Sequence, residues 1–322
     1  MPYIKTKNFV KQQPLNLLYN AASLEHLLIA TLIASIIMLS MFQTYDIIKK
    51  QLLIIEQQII ILYNQLVADF FLRTNLRNAG YKGFVSTIPL PQHSSINNSY
   101  QNQIIPQTPI AICKATVNSC KDFVTNKILN KIVENKIKPN TDILLAYDIP
   151  YKITFLTKNM QEYNSQLHVN SIDDTWKIGE QMIIADHRNI QRFIISNINI
   201  TEKTISHNQP YNTTNNFIKT YSKGAEIFRV KHVAFYIAKN SGYQSNVYSL
   251  YIDDFSSNHM AEAILDHVED FWIQSLDPNS KAQHIYTANQ GWNFNKYLLI
   301  NFLFKTKFKS QIFTTGIEIR NV

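Results

Sequence analysis

Residues 27–42 read LLIATLIASIIMLSMF, sixteen positions without a charged side chain, and the uncharged run reaches nineteen at Tyr45. As a helix rising 1.5 Å per residue it is about 28 Å long, the lower limit for the hydrocarbon core of a bilayer. Such a run must sit in lipid or in a protein interior, and this choice constrains everything after it. Lys5, Lys7 and Lys11 precede the run, and Asp46, Lys49 and Lys50 follow it. That basic flank predicts a membrane span over 27–45, with the N-terminus cytoplasmic and the bulk of the chain on the far side. A secretory signal has a shorter apolar region, about 7–15 residues, ending at a small-residue cleavage site. Here the run leads into a helical pattern with no such site behind it. A core helix of a soluble protein is the other alternative. Glu25 and His26 stand at the threshold of the run. A carboxylate at the edge of lipid costs a few kcal/mol unless it reaches water or is paired. Glu25 therefore either rests at the interface or takes a positive partner from another chain.

Past Tyr45 the pattern turns amphipathic. Leu52, Ile55, Ile59, Leu62 and Leu66 recur at helical spacing, with Gln57, Gln58, Asn64, Gln65 and Asp69 largely off that stripe. No Gly or Pro interrupts 22–79, and Gly80 offers a stop. One long helix over 22–79 is predicted. Propensity alone does not hold a helix of this length, so its stripe must pack on a sheet or on neighbouring helices.

The rest, residues 80–322, reads as a globular head. The chain has 322 residues, 45% of them apolar, which excludes wholesale disorder. Residues 81–140 are polar and resist assignment; 94–107 reads as an exposed loop and 121–138 as a short helix. From 142 onward, segments 143–147, 151–156, 181–185, 192–200, 225–238, 247–252, 296–304 and 312–319 are rich in Ile, Val, Tyr and Phe, as strands are. Residues 260–274 read as a short helix or a helix–strand junction. The fold class expected is α+β, a long N-terminal helix packed on a mainly antiparallel sheet.

Chemistry-bearing motifs are scarce. Seven glycines in the whole chain leave little room for a glycine-rich phosphate loop, and two cysteines cannot build a zinc ribbon. There is no G-x-S-x-G, H-E-x-x-H or C-x-x-C, and no catalytic, cofactor or metal set is assigned. Asp186-His187 and His267-x-x-Asp270 have metal-ligand residue types, but such pairs also form surface turns and satisfied polar contacts. Asp173-Asp174 and Asp253-Asp254 read as solvated corners, with a calcium contact as the alternative. Trp176, Trp272 and Trp292 read as core or interface anchors. Cys113 and Cys120 bracket a short loop. Outside the cytoplasm a disulfide there adds about 2.5 kcal/mol by the chain-entropy estimate; two free thiols are the alternative. The net charge is +8. Lys296, Lys305, Lys307 and Lys309 surround the last hairpin with Phe302, Phe304 and Phe308 between them, which suits a charged edge strand or, alternatively, contact with a DNA backbone.

Seven segments, in order, resemble the PilW-like minor pilins of type IV pili: 23–30 (SLEHLLIA), 75–84 (NLRNAGYKGF), 141–148 (TDILLAYD), 179–193 (GEQMIIADHRNIQRF), 228–237 (FRVKHVAFYI), 265–271 (LDHVEDF) and 313–321 (FTTGIEIRN). Pseudopilin J of type II secretion is a near neighbour in this resemblance. The resemblance implies a pilin-like fold and a leader, residues 1–21, removed by a prepilin peptidase between Ala21 and Ala22. It also implies a head on the periplasmic side of the inner membrane and on the cell surface after assembly. The partners implied are other minor and major pilins, and the function is structural, in the tip or priming complex of a pilus. His26 would be the fifth mature residue, with Glu25 one position before the place where the family carries its assembly carboxylate. A type II secretion pseudopilin and a membrane-tethered extracytoplasmic sensor or binding domain are the competing readings.

Overall fold

The computed structural model describes residues 24–81, 83, 92–97, 110–115, 137–160, 166–239, 247–254, 261–276, 297–305 and 310–318. The chain divides into two compact units, residues 1–59 and 60–322. Helix α1 (Leu24–Leu76) runs for 53 residues, unbroken through Tyr45, as a stretch without Gly or Pro allows. It ends in the turn 77–80, where Gly80 takes φ +67° and donates its N–H to the Tyr147 carbonyl at 2.9 Å.

In the second unit the chain is almost entirely strand. In order come β1 (Gln92–Ser94), β2 (Ile110–Lys114), β3 (Asp142–Phe155), β4 (Gln166–His168), β5 (Gln181–Ala185), β6 (Ile190–Ile194), β7 (Asn197–Asn199) and β8 (Thr204–Ser206). Then follow β9 (Glu226–Lys239), β10 (Tyr248–Asp253), β11 (Glu262–Asp266), β12 (Val268–Leu276), β13 (Tyr297–Lys305) and β14 (Ser310–Glu318). The 14-residue β9 is the spine of the large sheet. It pairs along one side with β3; along the other it pairs first with β5 and then with β10. β2 extends the sheet beyond β3, β6 and β1 beyond β5, and β11 beyond β10. Only the β1–β6 pair is parallel among the described pairings. Two three-stranded sheets, β12-β13-β14 and β4-β8-β7, complete the architecture. The α+β expectation stands in this coarse form.

Two main cores result. In the first, Ile61, Ala68, Leu72 and Leu76 of α1 pack with Leu144, Phe235 and Leu250 of the large sheet and with Phe271, Ile300, Phe302 and Phe304 of β12-β13. The second gathers Leu167, Trp176, Met182, Ile184, Phe193, Ile205, Phe217 and Tyr221 between the small sheet and the first half of β9.

Several expectations need correction. Where the sequence predicts a helix or helix–strand junction over 260–274, the described residues 262–274 form two strands, β11 and β12. Leu265, Val268, Phe271 and Ile273 are buried against β10 and β13, and His267 at φ +62° turns the chain from one sheet to the other. The expected strands 143–147 and 151–156 are one strand, β3, which bulges at two places, one beside Lys152 at φ +56°. The stretch 192–200 is instead divided between β6 and β7. Asp253 is not a solvated corner: it is 1% exposed, because β10 stays paired with β9 through this residue. The expected exposed loop 94–107 is largely not exposed where it is described: Ser94 ends β1, and Ser95 and Ile96 are buried at 0% and 3% exposure, because Ser95 bonds to Arg192 and Ile96 bridges to Asn212. Residues 98–107, and 121–136 of the expected helix 121–138, lie outside the described residues.

Candidate membrane and assembly helix

Through residue 59 the helix is almost wholly exposed. Leu27, Ile33, Ile37, Met41 and Phe42 lie between 50% and 68% exposed. The helix is long and apolar enough to cross a membrane. The four Ser and Thr hydroxyls of the uncharged run each find an acceptor within the helix. Thr31, Ser35 and Ser40 donate to the carbonyls of Leu28, Leu32 and Ile37, and Thr44 to that of Ser40, at 2.7–2.9 Å. None of these O–H groups then needs water, which lowers the polar cost of placing the run in lipid. Glu25 occupies the first turn, where the helix dipole favours a negative charge.

In residues 60–76 the helix has two distinct faces. Ile61, Asn64, Ala68, Leu72, Asn75 and Leu76 are buried against the sheets. Ala68 allows close approach, and Asn64 Nδ2 donates to the Asp266 carbonyl at 3.2 Å. On the other side Leu62, Tyr63, Leu66 and Phe70 stand 56–72% exposed. The stripe singled out in the sequence is therefore not the one that packs on the sheet. Leu52, Ile55, Ile59, Leu62 and Leu66 are all at least half exposed. The helix is apolar on more than one face, and periodicity finds the most regular stripe, not the one with a surface to meet. The apolar stripe runs from Ile48 through Leu52, Ile55, Ile59 and Leu62 to Leu66, while Glu56 stands on the adjoining row that Tyr63 and Phe70 continue.

Polar contacts secure the packed face at its border. The Asp69 carboxylate accepts hydrogen bonds from Arg73 Nε at 2.7 Å and from Thr315 Oγ1 of β14. Burial raises the Asp69 pKa, but the bonds from Arg73 and Thr315 and the Arg73 charge outweigh it, leaving the carboxyl below its ordinary value. Beyond the helix, the Tyr81 hydroxyl donates to the buried Glu226 at 2.9 Å, and burial with that carboxylate holds the phenol's pKa well up. A Cβ on Gly83, at φ +87°, would come within 2.8 Å of Ala185 Cβ, so glycine fits this close to β5.

The remaining sequence candidates scatter. Ala21 and Ala22, the expected peptidase junction, lie outside the described residues. Glu25 and His26 begin α1. Cys113 on β2 is fully buried and disulfide-bonded, and Cys120 lies outside the described residues. Asp186 caps its own turn, accepting the N–H groups of Arg188 and Asn189 at 2.8 Å. Asp173 takes Thr175 and, at 2.9 Å, Lys152 Nζ. The Asp270 carboxylate accepts the N–H of Phe271. Among the described residues no three His, Cys, Asp or Glu side chains come together as metal ligands. Trp176 is core and Trp272 half-buried; Trp292 lies outside the described residues. Phe302 and Phe304 are fully buried, so they are not offered between the lysines of the last hairpin for contact with DNA. No protein family, curated protein or solved structure matches the chain.

Proposed function

We propose that the protein is a structural subunit, a minor pilin that is anchored in the inner membrane through α1 with its β-rich head in the periplasm. It joins other pilins in the tip or priming complex of a type IV pilus. The observation that carries this reading is the apolar stripe of α1 from Ile48 to Leu66, which continues well past the membrane-length run and is exposed. A mere anchor needs apolar surface only within lipid. Apolar side chains beyond it, on the face that the head leaves open, are stabilised only by another apolar surface. Full burial of a Leu or Phe side chain contributes about 1.5–3 kcal/mol, so Leu62, Tyr63, Leu66 and Phe70 together supply a sizeable association energy. Helices that leave lipid and bundle along this stripe would carry their heads with them. The ordered segments that resemble PilW-like pilins support the same reading, and by that resemblance a prepilin peptidase cuts between Ala21 and Ala22.

Deletion of the gene, followed by electron microscopy of surface fibres and co-purification of other pilins, tests this. Loss of fibres, restored by the parent chain but not by Leu66→Asp, is the expected result. Normal fibres with impaired protein secretion would move the reading to a type II secretion pseudopilin. Normal fibres and normal secretion would overturn both.

A further inference from the structure

One end of the large sheet gathers exposed cations that form no ion pair among the described residues, the nearby Glu226 being buried and bonded to Tyr81. Phe155 of β3 and Ala185 of β5 both pair with Glu226 at the start of β9, so three neighbouring strands end in one row. The loops that leave this row are tied together. Leu156 N–H donates to the Ala225 carbonyl at 2.9 Å, Gly224 N–H to Leu156, Met160 N–H to Tyr221, and Lys223 N–H to Asn159 Oδ1 at 2.7 Å. Ile218 N–H reaches Gln191 Oε1 at 3.1 Å, which brings residue 219 beside the start of β6. These loops carry Lys158, His187, Arg188, Lys219 and Lys223, all exposed. His187 and Lys223 line a shared cleft of about 200 Å³ with Asp186, Ser222 and Gly224. Asp186 is the one carboxylate on loops 156–160, 186–189 and 217–225, and one of its oxygens already accepts two backbone N–H groups.

We propose that this end of the head binds the phosphodiester backbone of duplex nucleic acid. Charge selects the class of partner: four permanent cations on one rim, without ion pairs among the described residues, are placed to displace counterions from a dense line of phosphates. The duplex is favoured over a single strand because Phe217 and Tyr221, the Phe and Tyr rings in these loops, are buried in the second core. They cannot stack an unpaired base. The contacts are to backbone, so recognition is independent of sequence. This surface is separate from the helix stripe, and the inference stands or falls apart from the pilin reading.

The test is fluorescence anisotropy of a labelled 20-base-pair duplex with the detergent-solubilised full chain, titrated in NaCl. Four phosphate contacts predict a salt slope near −3.6, an affinity loss of about 100-fold between 50 and 200 mM. The variant combining Lys158→Gln, Arg188→Gln, Lys219→Gln and Lys223→Gln should lose at least tenfold in affinity at 100 mM. A charge-matched control with Lys177→Gln, Lys203→Gln, Lys239→Gln and Lys305→Gln should change less than threefold. All eight positions are exposed, so circular dichroism should show parent-like melting for both variants. Equal loss in the two variants would reduce the effect to net charge and overturn the proposal. So would a parent that fails to bind the duplex, or one that binds only vesicles of anionic lipid.

Discussion

His207 has 0% exposure, its Nε2 2.6 Å from Ser95 Oγ and its ring stacked on Phe217 at 4.4 Å. Burial pushes its pKa down to about 4, against an ordinary value of 6.5. The unfolded chain therefore takes up a proton first as pH falls. Stability is full above pH 6.5 and declines toward pH 4, by about 3 kcal/mol in all. Urea melts between pH 7.5 and 4.5 should show this loss, and His207→Gln should flatten the pH dependence. Asp142 makes a different kind of contact. It is 5% exposed, accepts the Ile273 N–H of β12 at 2.8 Å, and pairs with Lys114 at 2.5 Å. Asp142→Ala strands a buried N–H between two sheets and should cost about 2–4 kcal/mol, read as a lower denaturation midpoint.

Helix α1 presents a buried face and an exposed one beside the head's sheets. Leu72 is fully buried, so Leu72→Ala should destabilise the head by about 2–5 kcal/mol. Leu66 is 72% exposed, so Leu66→Asp should leave the melting midpoint within about 0.5 kcal/mol of the parent. If the stripe is an assembly surface, the same change should abolish co-purification with partner chains. A Leu66→Asp chain that melts early would place that residue in the core, and one that still captures partners would remove the stripe from assembly. In β11 and β12 the periodicity is ambiguous. Their apolar residues suit either periodicity over such a short span, and only pairing with β10 and β13 selects the extended form.

For the whole chain, the membrane-length run predicts resistance to alkaline carbonate extraction. Ile36→Lys puts a charge at the middle of that run, at a cost of about 2.5–3.5 kcal/mol for insertion, and should shift the protein toward the soluble fraction. A parent that washes off at high pH would rule out a spanning helix. The long helix, the β-rich head and the alternation of β14 were legible from residue order, because each rests on local periodicity: Ile312, Thr314 and Glu318 are exposed while Thr315 and Ile317 are buried. The spine role of β9, the parallel β1–β6 pair and the gathering of cations from three separate loops were not, because each joins residues far apart in the chain. The same holds for the helix. Its apolar surplus is a property of the residues alone, whereas which stripe meets the sheets depends on where Asp266, Thr315 and the core aromatics stand when the head has folded. Local preference specifies an element, and the choice of its buried face belongs to the partner surface that removes it from water.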